Sequence, residues 1–242
     1  MYNKEIKASC EAVANLFANI RKITFDSQND LDFMLICFLH KQLQHFQSIS
    51  KLLPSQDVQL IVRSMYENLI QLLWVYSEPN RASDWRYFVF VEDWNKLQEM
   101  DKQGIHVDEV ERKSVEGNYQ QNKERFLVKN KNKCHKDWRK GNSIKDVAFS
   151  VGAEQLHEVV YSRLSDWHHN GVLSFAHQVS FTNEKTLEFN PELPRILNSS
   201  LSVAFQCLYQ VAEVVERHFH IGIQGELDQI YQEYIHLTNT SR

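Results

Sequence analysis

Only four prolines and seven glycines interrupt 242 residues, and that scarcity constrains the fold more than any other feature. Inside a helix glycine costs about 1 kcal/mol and proline about 3 kcal/mol relative to alanine, so a chain poor in both is free to form long helices. Pro54 and Pro79 bracket the segment SQDVQLIVRSMYENLIQLLWVYSE, with Ser55 placed as its N-cap. The segment is apolar around much of its girth, which suits the centre of a bundle. Upstream, residues 2–24 carry Ile6, Cys10, Val13, Leu16, Phe17 and Ile20 at three- and four-residue steps, an amphipathic helix. A second helix begins after Ser27, has Leu31, Met34, Leu35, Phe38 and Leu39 on its apolar side, and stops at Pro54.

Downstream, one helix is expected from Arg81 to about Met100, ending at Gly104, and a more polar, peripheral one from Val107 to about Val128. Residues 129–145 show no sustained period and read as a loop. Asn142 or Ser143 then caps a short helix ending near Gly152, and a helix from Ala153 carries YSRLSDWHHN, residues 161–170. VSFTNEKTLEFNPELP alternates in two short runs, a small β-hairpin or loop excursion near 179–190. Pro191 and Pro194 lead into a helix from Ile196 to Phe219 closed at Gly222, and a tail helix spans 226–236. The expectation is an all-α fold, a single helical-bundle domain over 1–242 with about seven to nine helices and its core at about 30–220.

A hydrophobic content of 43% is adequate for a buried core. Cys10, Cys37, Cys134 and Cys207 are scattered, with no CxxC pair, so they read as free thiols of a reducing compartment. MYNKEIKASC lacks the apolar core of a signal peptide. No run approaches the roughly 20 apolar residues of a membrane span. A cytoplasmic protein with no membrane partner is therefore expected. There is no phosphate-binding glycine loop, no HExxH and no GxSxG, which argues against nucleotide-dependent and serine-hydrolase classes. No cofactor or resident metal is expected.

Among chemical candidates, Arg63 and Glu67 share a helical stripe with Leu60, Ile70 and Trp74. An ion pair among large apolar residues is costly unless hydrogen-bonded, so it belongs either to a structural polar network or to a functional cleft. In YSRLSDWHHN, Leu156, Val160, Arg163 and Trp167 form one stripe and His157, Tyr161, Leu164 and His168 the next, with Ser165 beside His168. An arginine and a histidine suit phosphate cleavage, the guanidinium neutralising phosphoryl oxygens while imidazole moves a proton. On a regular helix, residues five apart diverge by about 140°. Arg163 and His168 therefore converge only if the helix loosens or a second copy of the chain completes the site. The competing reading is a helix C-terminus before Gly171, where histidines meet the dipole. Glu216 and His220 have i,i+4 metal-ligand spacing, but helix-end capping before Gly222 is the favoured reading.

From Lys123 to Lys140, eight Lys or Arg residues face only Glu124 and Asp137, a local balance of +6 in a chain whose formal net charge is −4. Phe126 and Trp138 are interleaved with these charges. Cations beside aromatics suit single-stranded nucleic acid, which makes Lys136, Trp138 and Arg139 candidate RNA contacts. The alternative is a mobile, solvated loop.

RSMYENLIQLLWVY and the later YSRLSDWHHNG together resemble the bacterial helical family catalogued as domain of unknown function 5677, over roughly residues 30–220. That family's pattern, an Arg and a Glu on an early helix and a Tyr, Leu-Ser and His on a later one, falls on Arg63, Glu67, Tyr161, Leu164, Ser165 and His168. The chain is also similar in character to the HEPN group, many of whose members are metal-independent ribonucleases in toxin and antiphage systems, with the signature Arg, four to six residues, then His. Arg163 with His168, or with His169, fits that spacing. Leu164 departs from it, since those nucleases often carry a polar residue after the arginine. The resemblance implies catalysis by Arg163 and His168 or His169, with RNA as substrate and a homodimer bringing two motifs together. The alternative is a non-catalytic binding module in which Arg63, Glu67, Ser165 and His168 form a buried network, its ligand a small molecule or a partner protein such as one from the same operon.

Overall fold

Helix α3, Val58–Ser77, forms the inner layer of the fold, burying Val58, Val62, Met65, Tyr66, Leu69, Ile70, Leu72 and Val75. The computed structural model describes residues 3–20, 23–161, 164, 179–181, 187–189 and 193–240. Ahead of α3 lie α1, Lys4–Asn19, and α2, Asp30–Leu52. The side chains of Asn3 and Asn29 cap them, each accepting two backbone N–H bonds. Ser55 does not cap α3 as expected: its hydroxyl closes a turn onto Asp57, and the helix begins three residues later.

The helix expected from 81 to 100 is two, α4, Arg81–Tyr87, and α5, Val89–Lys102. They meet at Phe88, whose buried ring sets an edge against Phe126 at 5.2 Å between centroids. No helix-breaking residue marks this junction. Phe88 itself keeps helical backbone angles, so the two helices run on with little break. Helix α6, Glu109–Asn122, is capped by Asp108 and has no buried residue, in keeping with its polar sequence. It lies against α5, with Tyr119 stacked on Trp94 at 4.9 Å, and continues as a 3₁₀ turn over Lys123–Phe126.

Of the two cap candidates for α7, Ile144–Ser150, Ser143 serves, in a reciprocal capping box with Asp146. Three residues, Glu154–Leu156, form α8, which widens into a π-helical turn over His157–Tyr161. Strands β1, Val179–Phe181, and β2, Leu187–Phe189, pair antiparallel with Ser180 opposite Glu188, where the hairpin was expected.

Helix α9, Leu193–Phe219, starts three residues earlier than its sequence suggested, with Pro194 in its first turn, where a missing N–H costs nothing. Its buried side packs on α1, α2 and α3. Helix α10, Gln224–Thr240, extends beyond the expected 226–236 and lies on α1 and α9.

The result is an all-α helical bundle. One hydrophobic cluster runs through α1, α2, α3, α7, α9 and α10, and a small second cluster joins Phe88, Val91 and Phe126. The four cysteines are free thiols, and burial pushes Cys10 and Cys207 well above the ordinary thiol range. Among the described residues, no helix is long and apolar enough to cross a membrane.

Candidate functional site

The π turn brings His157 and Tyr161 into a stack with ring centroids 4.7 Å apart, and α3 meets both of them. Arg63 donates from Nε to Glu67 Oε1 at 3.0 Å and from Nη2 to the Tyr161 hydroxyl at 2.9 Å. Its guanidinium carbon also lies 4.9 Å from the centre of the Tyr161 ring. Arginine and tyrosine thus tie α3 to the segment that leads into residues 162–170.

The pair does not lie deep in the bundle. The Arg63 side chain is 14% exposed and that of Glu67 31%, and Leu60, on the same stripe, is exposed. The stripe is therefore the rim of the buried face of α3, where a charge keeps some solvent. Nη1 of Arg63 and Nε2 of Gln59, one turn earlier, are buried with no acceptor among the described residues.

Tyr66, one turn from Arg63, is fully buried, with its hydroxyl 3.2 Å from His157 Nδ1. Burial, reinforced by the neighbouring Cys207, Tyr161 and Glu67, pushes its phenol far above the ordinary range. The phenol keeps its proton, and it donates to His157 wherever Nδ1 carries none. Tyr161 is also raised, by burial and the Glu67 carboxylate, with Arg63 opposing. Both phenols keep their protons at neutral pH. They orient neighbours and do not act as bases.

His157 is held below the ordinary imidazole value, by burial first and then Lys145, while Glu158 opposes. The unfolded chain gains a proton near pH 6.5 that the folded chain resists. This contribution to stability is complete above about pH 6.5 and is lost as pH falls through the lower, folded value. Urea unfolding between pH 8 and 5 should show a steeper acid loss for the wild type than for His157→Gln. Parallel curves would refute a neutral buried imidazole.

Arg163, Ser165, His168 and His169 lie outside the described residues. Leu164 is 5% exposed and belongs to the main core, which explains an apolar residue directly after the arginine. Of the proposed RNA contacts, Lys136 is exposed and has no ion pair among the described residues. Trp138 is half-buried against Trp74 at 5.5 Å, and Arg139 is bonded to Asp137. Phe126 is fully buried and offers no face to a base. At the end of α9, the Glu216 carboxylate accepts the Gly222 N–H at 3.0 and 3.1 Å, the helix-end role favoured over metal binding. His220 sits at φ +51° with its N–H on the Glu216 carbonyl, and His218 contacts Asp32 at 2.8 Å.

Gln59, Tyr66 and His157 were not singled out as site residues in the sequence. Their signal was spacing: Gln59 and Tyr66 lie at i−4 and i+3 from Arg63, and His157 at i−4 from Tyr161, each one turn from a candidate.

The architecture defines an all-α bundle with an Arg-Glu-Tyr clamp joining a central helix to a loosened one. A family model described as "family of unknown function (DUF5677)" matches residues 32–186, and the chain belongs to that family. The match takes in α2 through β1, hence both halves of the clamp, and ends before α9. Searches of curated proteins and of solved structures find no match.

Proposed function

We propose that the chain is a HEPN-like, metal-independent ribonuclease working in a toxin or antiphage setting. Arg163 holds the phosphate, and His168, or His169 in its place, moves the proton. In the step proposed, imidazole takes the 2′-hydroxyl proton as that oxygen attacks phosphorus. The bond to the 5′ oxygen breaks, that oxygen gains a proton, and a cyclic phosphate remains on the other strand end. The basic segment guides the RNA.

The observation that supports this reading is the π turn at His157–Tyr161. A regular helix would separate Arg163 from His168 by about 140°, whereas π turns bond residues five apart and recur at functional sites. The helix is loosened as it enters the motif, and Arg63 anchors it there through Tyr161. A homodimer is the other route to a complete site. The mutual pairing of Arg63, Glu67 and Tyr161 favours a second reading, a binding module with a structural polar network.

Purified wild type and the Arg163→Ala and His168→Ala variants should be incubated with total RNA in excess chelator, with folding checked by circular dichroism. Cleavage by the wild type that falls at least about 100-fold in each folded variant is expected. Equal cleavage by all three, or none by any, overturns the ribonuclease reading.

A further inference from the structure

The basic segment is a loop, as its sequence suggested, and its first part is closed as a hairpin turn. Leu127 bridges Cys134 antiparallel, Val128 donates to the Lys133 carbonyl at 2.9 Å, and His135 donates to the Phe126 carbonyl at 2.8 Å. Asn130 takes the turn at φ +60°, a conformation asparagine tolerates. Phe126 anchors the base of the hairpin in the second core cluster.

This frame gathers Lys129, Lys131, Lys133 and Lys136, all exposed and without ion pairs among the described residues. Two of the acids nearby are paired with other cations: Asp137 holds Arg139, and Asp84 holds Lys140 at 2.8 Å. Four like charges within eight residues repel one another. A polyanion relieves that repulsion and releases its own counterions. Lysine is a point charge suited to phosphate, whereas the arginine fork that reads guanine edges is absent from 126–138. The segment's two aromatics are engaged in packing, Phe126 on Phe88 and Trp138 on Trp74. Single-strand binders need open aromatic faces for stacking. Duplex RNA is recognised through its backbone and shape.

We propose that the hairpin over residues 127–135, together with Lys136, docks the phosphate backbone of double-stranded RNA without regard to sequence. The choice of RNA over DNA rests on the ribonuclease reading; the choice of duplex over single strand rests on the hairpin itself.

Fluorescence anisotropy of the full chain tests it, using an RNA duplex of about 20 base pairs, one of its strands and the matching DNA duplex over a salt series. The RNA duplex should bind at least about fivefold tighter than the strand. Changing all four lysines to glutamine should make the slope of log K against log salt shallower, by about 0.9 for each phosphate that a lysine neutralises in the wild type. These exposed substitutions should leave thermal melting unchanged. Single-strand binding as tight as duplex binding, or an unchanged salt slope in the folded fourfold variant, would overturn the proposal. Equal binding of both duplexes would overturn the choice of RNA, which rests on the ribonuclease reading, whereas absence of RNA cleavage with tighter RNA-duplex binding would overturn that reading alone.

Discussion

Phe205→Ala is expected to destabilise the protein by about 3–5 kcal/mol, the usual cost of removing a buried aromatic ring. Phe205 is wholly buried on α9, with its ring centroid 3.9 Å from that of Tyr234 on α10 and 5.8 Å from that of Tyr209. Tyr209 in turn stacks on Tyr231 at 4.8 Å. This ladder holds the last helix on the bundle, so its removal combines forfeited transfer energy with a cavity that rigid neighbours cannot close. For a chain of this length the change corresponds to a fall in Tm of about 10 °C. Phe205→Leu, which refills most of the volume, should cost about half as much. Calorimetry and urea titration measure both, and a change below about 1 kcal/mol for the alanine variant, far under the usual range, would show that α10 does not depend on the ladder.

Arg63→Ala should cost about 2 kcal/mol, less than the about 3–5 kcal/mol typical when a fully buried pair is broken on one side and the remaining charge is stranded. Here Glu67 keeps 31% of its side-chain exposure, and solvent offsets part of that cost. The Tyr161 hydroxyl is also deprived of a charged donor, and its ring of the guanidinium above it. Replacing both partners, Arg63→Met with Glu67→Leu, should be close to neutral, since no charge is left bare. The Arg63 Nη1 atom, already lacking an acceptor among the described residues, favours that outcome. Equal destabilisation in the single and double variants, read by urea unfolding, would refute the stranded-charge account.

Much of the fold was legible because its rules are local. Ser143, one of two cap candidates, caps α7 through a bond to the Asp146 N–H three residues away. The apolar steps of α1, with Ile6, Cys10, Val13 and Phe17, became its buried side. The packing of Phe88 on Phe126 was not legible, because the two rings lie 38 positions apart in the sequence. The same holds for the hairpin at 127–135: periodicity is silent on a turn whose anchor is one phenylalanine in a distant cluster. At the candidate site, Arg63 and Glu67 stood out because charges on an apolar stripe are costly, but their partner Tyr161 is 98 residues from Arg63.

By itself, the sequence determined an all-α chain and the pairing of Arg63 with Glu67, because helix periodicity and i,i+4 spacing act within a few residues, and its motifs carried the resemblance to the family whose model matches. Only the tertiary structure decided that the pair lies at the rim of the core, that Tyr66 meets His157, and that Lys129, Lys131 and Lys133 stand on a pinned hairpin beside Lys136. Those outcomes depend on which distant surfaces exclude water from one another, and burial of that kind is a property of the packed chain.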